Sequence, residues 1–156
     1  MINYFNVPAD FRQSTIDKYV QLNQAFADSR VFETYGSITV NKTMKSGRSI
    51  EGLPKVDLYE LKEYVRYSRD RGIRFNYTLD APFMNNDDFT TEGLSEIFHF
   101  LECLYEIGIC SLTIAMPSLI DIVCRSPYPF HIKASTICQI TNANKAVEFK
   151  RMGVER

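Results

Sequence analysis

Residues 61–76 read LKEYVRYSRDRGIRFN. Leu61 and Val65 continue the apolar face of a helix begun at Leu58; Gly72 ends it and Ile73 opens a strand. A glycine just past a helix suits the left-handed C′ position, because it has no Cβ to clash there. The phrase recurs as Ile107-Gly108-Ile109 and Met152-Gly153-Val154, at intervals of 36 and 45 residues. Those intervals are the scale of one βα repeat with its loop.

The other helices carry the same 3.6-residue period. Ile16, Tyr19, Val20 and Phe26 mark the first, with Ser14-x-x-Asp17 resembling a capping box. Asp57, with Glu60 three residues later, opens the second. Leu94, Ile97, Phe98, Leu101 and Leu104 mark the third. Pro117 suits a first helical position and opens a short fourth through Leu119, Ile120 and Val123. The fifth spans about Asn142 to Arg151. Between them, short runs rich in β-branched and aromatic residues read as strands: 3–7, 31–35, 74–79, 111–115 and 131–134.

Strict βαβα alternation predicts a parallel sheet with right-handed crossovers. The fold class is α/β: five parallel βα units of a partial (β/α)8 TIM-type barrel, read as a single domain over residues 1–156. Residues 153–156 should be starting a sixth strand, so the fifth strand's edge is expected to lack a partner in this chain. Two long connections follow strands: Gly36 to Val56, with Gly47, Gly52 and Pro54, and Asp80 to Phe89, reading DAPFMNNDDF. Both emerge at the carboxyl edge, where α/β folds place ligands.

Bulk numbers narrow the classes. The 156 residues are 45% hydrophobic and 24% charged, with a net charge of -1. That balance gives no case for nucleic-acid or membrane-surface binding by charge. No apolar run approaches the ~18–20 residues that span a bilayer, and residues 1–10 show no secretory signal, so a cytoplasmic location is expected. Cys103, Cys110, Cys124 and Cys138 form no CxxC pair, and His99 and His131 are read as lying off zinc-ligand spacing from them. Reduced, buried thiols are the expectation, and no metal. Charge is uneven: residues 42–74 hold nine Lys/Arg against five Asp/Glu, whereas residues 75–123 hold none against eight acids. Complementary solvent faces of neighbouring helices explain that more simply than a ligand rim.

Polar groups at the carboxyl ends of strands are the candidate site residues. They are Glu33, Tyr35 and Ser37 from strand two, Arg48 from the loop after it, Asn76 and Asp80 from strand three, and Ser135, Thr136 and Gln139 from strand five. Arg48 suits an anion clamp, and Asp80 or Glu33 an acid/base role. The same groups could instead cap helices and tie down loops; Asp80 before Ala81-Pro82 is a natural turn initiator. His131 falls at a strand start, away from the ligand edge, and His99 mid-helix on or near the packed face. No HExxH, GxGxxG or Walker loop is present, so no nucleotide cofactor is indicated.

The C-terminal third carries a resemblance. HIKAST (131–136), TNANKA (141–146) and FKRMGV (149–154), with residues 61–76 and 108–119 upstream, resemble the peptidase U32 (collagenase-like) family. Ser46-Gly47-Arg48 resembles a variant of that family found beside specialised biosynthetic genes. The resemblance implies a (β/α)8-like barrel. It implies either hydrolysis or oxygen-independent hydroxylation of tRNA, rRNA or a quinone precursor, and a substrate that is a peptide, RNA or small aromatic molecule. Some relatives hold a [4Fe-4S] cluster on cysteines of the second half. The family's signature, Glu-Phe running into paired cysteines and Gly, is absent here, so a cluster is expected in full-length relatives only. Two readings follow: the N-terminal portion of a substrate-binding U32-like barrel, or a non-catalytic half-barrel. In the second, another polypeptide or self-association covers the open edge.

Overall fold

The computed structural model describes residues 1–39 and 55–155. Five strands lie in one parallel sheet in the order β1-β2-β3-β4-β5: β1 (Asn3–Pro8), β2 (Ser29–Gly36), β3 (Arg74–Leu79), β4 (Ser111–Ile114) and β5 (His131–Ala134). The crossovers are α1 (Gln13–Ala25), α2 (Leu58–Arg69), α3 (Thr91–Glu106) and α4 (Pro117–Arg125), and α5 (Ala143–Arg151) follows β5. Short 3-10 turns at Asp87–Phe89 and Thr136–Cys138 stand at the carboxyl ends of β3 and β5. The expected half-barrel of alternating strands and helices is the observed architecture.

Gly72, Gly108 and Gly153 all have positive φ, at 75°, 90° and 105°. Each is followed by the same bond back into the helix: Ile73 N–H to Ser68 C=O, Ile109 to Leu104 and Val154 to Phe149, all at 3.0 Å. This is the Schellman closure, and it turns each helix directly toward its next strand. After Gly153 the Glu155 N–H donates to the Ile132 carbonyl at 2.9 Å. That bond lays residues 154–155 against the free side of β5, although the sheet itself has five strands.

Side-chain alternation gives the sheet two unlike faces. Phe75 and Tyr77 of β3 point to the helices, where Phe75 meets Tyr64 of α2 and Tyr77 meets Phe100 of α3. Leu112, Ile114 and Ile132 are buried in the same apolar core with Leu61, Ile97, Leu101 and Ile120. The opposite, concave face is polar and holds Glu33, Asn76, Ser111, Thr113 and Lys133. On a flat sheet β2 and β5, three strand spacings apart, would stand about 14 Å from one another. Glu33 and Lys133 nevertheless touch, so the sheet is curled as in a barrel wall.

Two local expectations are corrected. Ser14 does not cap α1: the N-cap is Arg12, without a side-chain bond, and Ser14 lies inside the helix. Asp10 organises that entry instead, accepting from the Arg12 N–H and the Thr15 hydroxyl. Asp17 is drawn away to α2, where it accepts from Tyr67 Oη and Arg71 Nε at 2.9 Å. His99 lies not on the packed face but on the outer surface of α3, its side chain 77% exposed. Arg66 pairs with Glu63 of its own helix and Arg71 with Asp17, so α3 answers neither of these α2-side cations.

Candidate functional site

A band of polar groups crosses the concave face at mid-height. Lys133 of β5 forms an ion pair with Glu33 of β2, their side chains 14% and 3% exposed. Asn76 of β3 donates to Ser111 Oγ at 2.7 Å and accepts from Thr113 Oγ1 at 2.6 Å. Strand register places these partners: Asn76 lies opposite Ser111, and Thr113 opposite Lys133. Glu33 and Asn76 are therefore spent on neighbours. A buried carboxylate neutralised by a lysine does not serve as a free base.

The remaining candidates stand higher, at the carboxyl ends. Tyr35 stands next to the last residue of β2 and Ser37 just past the strand, both half-buried. Asp80 follows β3 and is buried. Tyr35 and Asp80 are both engaged by neighbouring groups. Ser135 is buried and accepts from the Ile137 N–H, capping the turn after β5. Gln139 ends that turn in the left-handed region at φ 47°, and its carbonyl accepts from Lys145 Nζ. Arg48 lies outside the described residues, with the rest of the β2–α2 connection.

The site residues thus fall into separate groups. Ser135, Thr136 and Gln139 share a cavity of about 590 Å³ with Ala134, Phe149 and Val154. That cavity runs beside the free edge of β5 under α5, directly beyond the point where Glu155 pairs with Ile132. Glu33 instead lines a cavity of about 110 Å³ toward the amino ends, with Arg74, Ser111, His131, Lys133 and Glu155. There His131 Nδ1 meets the Glu155 carboxylate at 3.0 Å. Lys133, Ser111 and Thr113 were not among the sequence candidates. For Lys133 the signal was present: a lysine inside a four-residue strand of the sheet has to face a partner or water.

Thr78, one inward position above Asn76, is also buried, and its Oγ1 has no hydrogen-bond partner. Such a hydroxyl costs about 1–3 kcal/mol until something satisfies it.

The cysteines do not fit an iron–sulfur cluster. Of the four thiols expected to be buried only Cys138, after β5, is: Cys103 on α3 is half-buried, and Cys110 before β4 and Cys124 on α4 are exposed. Among the described residues no three His, Cys, Asp or Glu side chains are placed to hold a metal ion together. Burial pushes the Cys138 thiol up, which keeps it protonated at neutral pH.

The model of peptidase family U32 matches residues 52–156, more than half of the chain. This chain belongs to the peptidase U32 family. Among solved structures, that of the U32 peptidase Mk0906 superposes with a TM-score of 0.75 at 17% sequence identity. The match covers 99% of this chain and 56% of that one, so the five βα units correspond to about half of a larger U32 structure. At that identity the likeness carries the fold alone. No curated protein matches the chain. Among the described residues no helix is long and apolar enough to cross a membrane.

Proposed function

We propose that this chain forms the β1–β5 half of a U32-type barrel, with a peptide substrate bound at the carboxyl mouth where Tyr35, Ser37, Asp80 and Ser135 stand. The observation that carries the reading is the backbone bond from Glu155 to Ile132. It lays residues 154–155 beside β5, and the lane beyond has an apolar wall of Ala134, Ile140, Ala146 and Phe149 with Ser135 and Thr136 at its upper end. Filling that lane places the polar residues after β5 on the rim of a closed mouth, facing those after β2 and β3. Asp80 is the group that would orient or deprotonate an attacking water; Glu33 and Lys133 hold the wall behind it. The absence of lysine and arginine from residues 75–123, which include the β3 rim, favours a peptide over RNA.

The test is binding of fluorescently labelled gelatin peptides to the chain and to its Asp80→Asn and Ser135→Ala variants. A loss of tenfold or more in both variants, with unchanged thermal unfolding, supports the reading. Equal binding by all three proteins, or none by the parent, overturns it. A second reading rests on the unfilled lane: a non-catalytic half-barrel that works only when another polypeptide supplies the missing strand. It predicts no peptide binding by the chain alone, whatever its state of association.

A further inference from the structure

The acidic stretch 75–123 contains a feature that the barrel mouth does not use. His99 and Cys103 sit four residues apart on the outer face of α3, and His99 Nε2 lies 4.0 Å from Cys103 Sγ. On the far side of the imidazole, Glu102 Oε2 lies 3.7 Å from Nδ1. Residues one helical turn apart project side by side, which is why the i, i+4 spacing recurs in metal-binding helices. A tetrahedral ion with bonds of about 2.3 Å to sulfur and about 2.0–2.1 Å to nitrogen holds those atoms roughly 3.6 Å apart. Small χ rotations of two surface side chains close the difference from the observed separation.

The surroundings favour a cation over a nucleophile. The carboxylates of Glu106 and Glu102 act on Cys103, and negative charge there attracts a cation. No lysine or arginine lies within residues 75–123 to oppose a positive ion through the helix itself. Imidazole nitrogen with thiolate sulfur is a donor set for borderline and soft metals, not for magnesium or calcium.

We propose that His99 and Cys103 form a two-residue chelate on α3 for a thiophilic divalent cation of the zinc class. Water completes the coordination shell, and Glu102 orients the imidazole through Nδ1. Binding replaces the Sγ–H proton by the metal, and that proton leaves to solvent. The site is independent of the U32 reading, since it lies on the outer helical layer and not at the strand ends.

The experiment is a titration of the reduced chain with cadmium ion, followed by the ultraviolet charge-transfer band of the cadmium–thiolate bond. His99→Gln and Cys103→Ser variants are run beside it. His99 is exposed and Cys103 half-buried on the outer face, and the exposed thiols Cys110 and Cys124 remain in all three proteins as a constant background. The expected result is one binding event in the parent that weakens at least tenfold in each variant, with a rise in thermal midpoint seen only in the parent. An event unchanged in His99→Gln shows a lone thiol and overturns the chelate. So does a parent titration indistinguishable from that of Cys103→Ser.

Discussion

At the scale of single residues, the decisive interaction is the ion pair between Glu33 and Lys133. Both side chains are almost fully removed from water, so each depends on the other to offset its desolvation. Glu33→Gln leaves a buried lysine without its counter-charge and should cost about 3–5 kcal/mol in urea unfolding. Replacing both by methionine should recover most of that loss; a single variant as stable as the parent would show that the pair contributes nothing. The buried tyrosines set a pH limit. Burial pushes Tyr64 up to about 12 and Tyr77 higher still. The unfolded chain releases these protons near pH ~10, before the folded one does. Their contribution is therefore complete below that value and is lost as pH rises through the folded ones. The thermal midpoint should fall from about pH 10 toward pH 12, and Tyr64→Phe should flatten the fall; an unchanged slope would remove Tyr64 from the account.

At the scale of elements, boundaries follow local chemistry where that chemistry is strong. Asp57 and Glu60 form the expected capping box, each accepting the other's backbone N–H. Asn142 caps α5 by accepting from the Lys145 N–H. Ser14 misled because an apparent cap signal was outweighed by Asp10 and by the demand of Tyr67 and Arg71 for Asp17. The junction before α3 shows the same dependence on contact. A Cβ added at Gly93 would stand 2.1 Å from the Asp87 carbonyl oxygen and 2.7 Å from its carbon. Both are backbone atoms, so no side chain can swing aside. Gly93→Ala should destabilise by about 1–3 kcal/mol and displace the loop that carries Asp80; chemical denaturation and amide shifts of residues 80–90 would reveal it. An unperturbed loop would mean that the turn at Asp87–Phe89 yields freely.

At the scale of the whole molecule, the two outer strands leave surface to be covered. β5 has its lane of about 590 Å³, and β1 exposes Tyr4 and Phe5, with Ile2 exposed just before it and Phe26 just past α1. Unpaired strand edges beside apolar side chains promote association. Sedimentation of the 156-residue chain should show a mass that rises with concentration; a monomer at every concentration would show these surfaces to be stable in water. The sequence by itself determined the order and type of the elements, because apolar period, cap residues and the Gly–strand phrase act within one βα unit. It also exposed the resemblance that the family match bears out. Only the tertiary structure decided which polar residues meet. Glu33 and Lys133 are 100 residues apart, and no local pattern says that β2 and β5 face one another. The curl of the sheet does, by bringing alternate side chains of distant strands into one interior. Register, which sets height along the strands, separates the candidates into a hydrogen-bonded band at mid-barrel and a set at the carboxyl ends.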